Sequence, residues 1–219
     1  MKRIIITIFL VQFIFVASLD LFGYFSYNRS CEAFTSQCDP DPGGRTKSAT
    51  LGHMIIDATS FFLQSHSDYQ LFLKKIEQSE IYGVDYSELQ TIINKAIDSI
   101  ALAHSSYYEI WQTSKTLDYN PFILEKLRNF DYTQYQVDHN LNSSMFNEVS
   151  CFLSVGNVRE SYEWFYNATG EILESLNILK ESVNSNTIPK IKDCWRLNQK
   201  FLESELFGQY ISEVFFALE

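Results

Sequence analysis

The residues of this 219-residue chain with chemistry to offer are four histidines, four cysteines and an excess of aromatic side chains. A di-iron helical site needs Glu-x-x-His pairs facing a core, but the residues three before His53, His66, His104 and His139 are Thr50, Leu63, Ala101 and Gln136. His53 and Asp57 stand four apart and can share a helix face, a spacing that suits a solvated or packed pair better than a metal site. The sequence contains neither a Cys-x-x-Cys-His haem motif nor a Gly-x-Ser-x-Gly elbow. The acid pairs Glu160/Glu163 and Glu171/Glu174 fall off the apolar stripes, where solvent keeps carboxyl groups ionised and unsuited to acid–base work. The expectation is a non-enzymatic protein with no catalytic residue, metal or cofactor.

Thirteen Tyr, eighteen Phe and three Trp are more aromatics than the core stripes consume. The excess gathers at Tyr107, Tyr108 and Trp111, at Phe130, Tyr132 and Tyr135, and at Tyr162, Trp164, Phe165 and Tyr166. Tyr and Trp bury large areas at low entropic cost while keeping a polar tip, which favours interfaces and ligand pockets. Tyr107, Tyr108, Trp111, Tyr132, Tyr135, Trp164 and Tyr166 are therefore the expected ligand or partner contacts, the competing role for each being packing between helices. His104 lies beside a core stripe and is expected to pack. Ser204 and Gly208, small and four apart, are expected to let two helices approach closely.

The solvent these groups meet is set by the N-terminus. Lys2 and Arg3 precede a thirteen-residue apolar run, Ile4 to Val16, and Val16-Ala17-Ser18 offers short residues before a cut. Residues 1–18 read as a signal peptide, or as an N-terminal anchor extending to Phe25. Either reading places the rest outside the cytoplasm, periplasmic, secreted or at the cell surface, touching membrane only through that segment if it is not cleaved. The charge of −10 at pH 7, more negative still without Lys2 and Arg3, repels phosphate backbones and argues against nucleic acid. In an oxidising compartment the cysteines are expected to pair, the simplest connectivity being Cys31 with Cys38 and Cys151 with Cys194.

The elements that must position these groups are helical. Residues 19–49 read as an extension and loop, with Pro, Gly and Asp concentrated between Asp39 and Lys47, and residues 50–219 as the helical domain. Apolar positions recur every three or four residues along four stretches. These are Met54–Ala58–Phe61–Ser65–Tyr69–Phe72–Ile76 over 50–78; Leu89–Ile93–Ala96–Ile100–Ala103–Tyr107–Ile110 after a capping box at Asp85; Val158–Tyr162–Phe165–Thr169–Ile172–Leu176–Leu179–Val183 over 157–184; and Cys194–Leu197–Phe201–Ser204–Gly208–Ile211–Phe215–Leu218 to the end, with Thr187 as cap. Between the second and third, Pro121 starts a short helix, 131–144 reads as irregular, and 145–153 as another short helix. The pattern predicts an all-α four-helix bundle of two antiparallel hairpins joined by a long, partly helical crossover. The function expected is that of an exported binding or interaction protein contacting a protein or small ligand through its aromatics. The alternative is a surface-assembly subunit, a homo-oligomer that buries the apolar N-terminus and the aromatic patches; a metal-dependent enzyme ranks below both.

Overall fold

The computed structural model describes residues 27–35, 47–141 and 144–218. A 3-10 helix, Tyr27–Ala33, is followed by α1 (Lys47–Tyr82), α2 (Tyr86–Ser114), α3 (Pro121–Asn129), α4 (Tyr132–Asp138), α5 (Ser144–Ser154), α6 (Val158–Asn184) and α7 (Ile191–Ala217). The described chain is all-helical, as the apolar periodicity predicts.

Local signals account for most boundaries. Asp85 caps α2 by accepting from the backbone N–H groups of Ser87 (3.0 Å) and Glu88 (3.1 Å). Glu88 instead pairs with Lys75 at 2.7 Å, fastening α1 to α2 beside Gly83, whose φ of +83° turns the chain. Asn120 caps α3 ahead of Pro121. Gly156 adopts φ +76°, and a side chain there would press on Leu124 and Arg128. Two expectations fail. Thr187 does not cap the last helix, which starts only at Ile191, because Pro189 disfavours helical backbone at the residue before it. The stretch 131–144 is not irregular throughout: Asp131 accepts from the Gln134 N–H at 2.9 Å and starts α4. That helix buries none of its residues, so it carries no apolar stripe to read.

Packing among the four long helices is antiparallel at every shared face. Thr59, Ser65 and Lys75 of α1 meet Tyr107, Ala96 and Glu88 of α2. His104, Tyr107 and Ser114 of α2 meet Thr169, Phe165 and Arg159 of α6. Trp164 and Glu171 of α6 meet Phe207 and Lys200 of α7, and Phe62, His66 and Tyr69 of α1 meet Phe201, Asn198 and Cys194 of α7. All the stripe positions expected on α2 and α6 are buried. On α1 the expected Ala58, Ser65, Tyr69, Phe72 and Ile76 are buried, but Met54 and Phe61 are only half-buried, and Leu51, Ile55 and Phe62 lie inside as well. The cause is that α1 packs against α2, α7 and the 3-10 helix at once, so apolar residues surround more than half of it.

The extension is also part of the core. Ala33 and Phe34 are buried, and Phe34 pairs with Tyr119 while the Asn120 N–H donates to the Ala33 carbonyl at 2.6 Å. Tyr162 donates to Ser30 at 2.8 Å, tying the same segment to α6.

The Cys151–Cys194 bridge is absent, and both are free thiols. Phe152, next to Cys151 on α5, packs on Phe207 of α7, thirteen residues along that helix from Cys194. That is about 20 Å, whereas a disulfide needs Cα atoms within about 7 Å. Cys151 is exposed, whereas burial pushes the Cys194 thiol up to about 11. Iodoacetamide on the native protein is expected to alkylate Cys151, with Cys194 reacting only after unfolding; a crosslinked 151–194 peptide would contradict this. Cys38 lies outside the described residues, and its pairing with Cys31 with it.

Candidate aromatic interface

Spacing on α2 places His104, Tyr108, Trp111 and Lys115 on one ridge, at steps of four, three and four, beside the core stripe. Across from it α6 presents Tyr166, and the rings assemble into a ledge along the α2–α6 seam. His104 stacks on Tyr166 at 4.4 Å between centroids, Tyr166 lies nearly parallel to Trp111 at 5.9 Å, and the Lys115 ammonium sits 3.4 Å above the Trp111 ring. Tyr108 closes the group, 5.4 Å from Tyr166 and 6.3 Å from Trp111. Tyr108 is 46% exposed, while Trp111 and Tyr166 are half-buried, so the ledge is anchored in the fold and open on one side.

The anchoring is specific. His104 Nδ1 lies 3.0 Å from the Tyr166 carbonyl and 3.2 Å from Thr169 Oγ1, which fixes the ring under Tyr166. Gly170 makes the room: a Cβ there would stand 3.1 Å from His104 Cε1. That close approach accounts for a glycine in the middle of α6, where it costs about 1 kcal/mol relative to alanine.

The other expected contacts go elsewhere. Tyr107 is buried, stacked on Phe165 at 4.9 Å with its hydroxyl 3.4 Å from Thr59, and is a core residue. Tyr132 donates to the Leu127 carbonyl at 3.0 Å, and Tyr135 packs between Phe130, His139 and Phe146. Burial pushes the phenol pKa of all three upward, so they stay protonated. Trp164 lies on the opposite flank of α6 from Tyr166, stacked on Phe207 at 3.9 Å, with its N–H donating to Glu148 at 2.9 Å. The structure thus brings together Tyr108, Trp111 and Tyr166 and leaves Tyr107, Tyr132, Tyr135 and Trp164 apart from them.

A second polar constellation escapes the sequence. His66 is buried in the α1–α7 seam, its ring parallel to Phe201 at 4.7 Å. Its Nδ1 lies 2.5 Å from Glu205, its Nε2 lies 3.0 Å from Gln70 Nε2 and 3.3 Å from Asn198 Oδ1, and Gln70 donates to Asn198 Oδ1 at 3.2 Å. Both ring nitrogens are thereby occupied by protein, which makes the group a structural clamp. Apart from Gln70, one turn along α1, its partners Asn198 and Glu205 lie more than 120 residues away in sequence, and no local spacing foretells them. Sequence reasoning also misses Trp195, which at 52% is more exposed than the half-buried Trp111 and Trp164.

Among the described residues, no group of three or more His, Cys, Asp or Glu is placed to hold a metal ion, and no helix is long and apolar enough to cross a membrane. No family model, curated protein or solved structure matches the chain.

Proposed function

We propose that this protein is an extracytoplasmic interaction protein, a four-helix bundle of two antiparallel hairpins whose Tyr108–Trp111–Tyr166 ledge contacts a protein partner. The observation that carries the reading is the convergence of three Tyr and Trp rings from two helices at the surface, held rigid from below by His104 and Thr169. Pre-ordered Tyr and Trp lose little entropy on binding and are enriched among the residues that dominate interface energy. Lys115 above Trp111 adds a cation that a partner's carboxylate can reach. The export assignment rests on the Lys2–Ser18 pattern, and the bundle on the antiparallel pairing of each long helix with two others.

The alternative, self-assembly through the same rings, is separated by light scattering on the purified mature chain. A monodisperse monomer at micromolar concentration fits a heterologous partner; an oligomer dissociated by Tyr108→Ala would favour the assembly subunit.

A further inference from the structure

We propose that the groove between α6 and α7 is a binding site for a neutral polyhydroxylated ligand, a pyranose ring or a close equivalent. The groove is distinct from the aromatic ledge, because Trp164 and Tyr166 stand two residues apart and face opposite flanks of α6. Open to solvent, it offers about 300 Å³ between Trp164, Asn167 and Glu171 on one side and Lys200, Glu203 and Ser204 on the other. Ala168 on α6 and Ser204 on α7 are the small side chains of its lining. Ser204 thus lines a groove as well as thinning its helix.

Its wall is built in advance. The Trp164 indole is held by stacking on Phe207 and by its bond to Glu148, so it presents surface to the groove at no ordering cost. Lys200 pairs with Glu171 across the groove at 2.8 Å, and Glu203 accepts from Gln199 at 3.2 Å. Ser204 Oγ donates to the Lys200 carbonyl at 2.9 Å, so towards a ligand it is an acceptor.

These groups select the ligand class. The one ammonium is already paired and the two carboxylates outnumber it, so phosphates and carboxylates are repelled. The groove is open and mixed in polarity, which gives no dry surface for an acyl chain. A pyranose has an apolar C–H face for the indole and a rim of hydroxyls that donate to Glu203 and Ser204 and accept from the amide of Asn167.

The test uses the full mature chain carrying Trp111→Phe and Trp195→Phe, so that Trp164 alone reports by fluorescence. The probes are D-glucose, D-galactose, D-mannose and N-acetyl-D-glucosamine, with putrescine as the cationic comparison. The expected result is a saturable change with at least one sugar, with Kd in the millimolar range or tighter, weakened about tenfold by Glu203→Ala. Asn167→Ala, an exposed change that leaves the fold intact, is expected to weaken it as well, and backbone amide NMR shifts are expected to cluster at 164–171 and 200–204. No saturable response to any sugar, a response to putrescine alone, or sugar binding indifferent to both Glu203→Ala and Asn167→Ala would overturn the proposal.

Discussion

Phe201→Ala is expected to destabilise the protein by about 3–5 kcal/mol, measured by urea unfolding followed by circular dichroism. Phe201 is fully buried on α7, and its ring meets Phe62 at 5.6 Å, His66 at 4.7 Å and Tyr69 at 5.4 Å. Three ring systems from α1 close on this one side chain, and none can collapse into the space without leaving its own partner. Tyr69 is held by its hydroxyl on the Cys194 carbonyl at 2.6 Å, and His66 by Glu205 and Gln70. The cavity therefore persists, and the cost falls at the upper end for a Phe deletion. Phe201→Leu keeps most of the volume and is expected to cost less than half as much. Equal losses for the two variants would show that the seam relaxes and that the clamp does not hold it.

Arg159→Ala is expected to cost about 2–3 kcal/mol and to loosen one end of the domain selectively. Arg159, in the first turn of α6, donates through Nε to the Ser114 carbonyl at 2.8 Å and through Nη2 to the Leu117 carbonyl. Ser114 ends α2 and Leu117 lies in the turn that follows, where a cation also suits the helix dipole. The guanidinium lies 4.1 Å from the centroid of Tyr119 and 5.5 Å from that of Phe34, so one side chain fastens α2, the crossover and the N-terminal segment to α6. Arg159→Lys is expected to recover little, since an ammonium cannot make the two-armed contact or stack. Hydrogen exchange is expected to rise in 27–35 and 115–121 while the middle of α2 stays protected; a uniform rise would contradict the local role.

The contrast between these two sites marks what the sequence reveals and where it stops. On α2 and α6 the apolar stripes are unbroken, and the periodicity of Leu89 to Ile110 and of Val158 to Val183 names the buried face residue by residue. On α1, Phe61 and Phe62 are both apolar, and only the simultaneous packing of α2, α7 and the 3-10 helix selects Phe62 for the interior. The α4 helix buries no residue fully and leaves no apolar stripe, only its Asp131 cap. Aromatic clustering picks out Tyr108, Trp111 and Tyr166, whose rings the fold brings together, but it also enrols Tyr107, which belongs to the α2 core stripe and is legible there as such. Arg159 and His66 act across the fold, and their partners on other elements, Ser114 and Leu117 for the one and Asn198 and Glu205 for the other, are set by topology.

The central claim is that the Tyr108–Trp111–Tyr166 ledge is a contact surface, and site-specific photocrosslinking in the native host tests it most directly. A photoreactive residue in place of Tyr108 is expected to give one discrete adduct, while the same residue in place of Gln199, exposed on α7, gives none. Trp111→Ala is expected to remove about 2 kcal/mol or more of binding, some thirtyfold in affinity, and to abolish the adduct with the helical spectrum unchanged. No adduct at position 108 in the folded protein, or equal adducts at 108 and 199, would contradict the account.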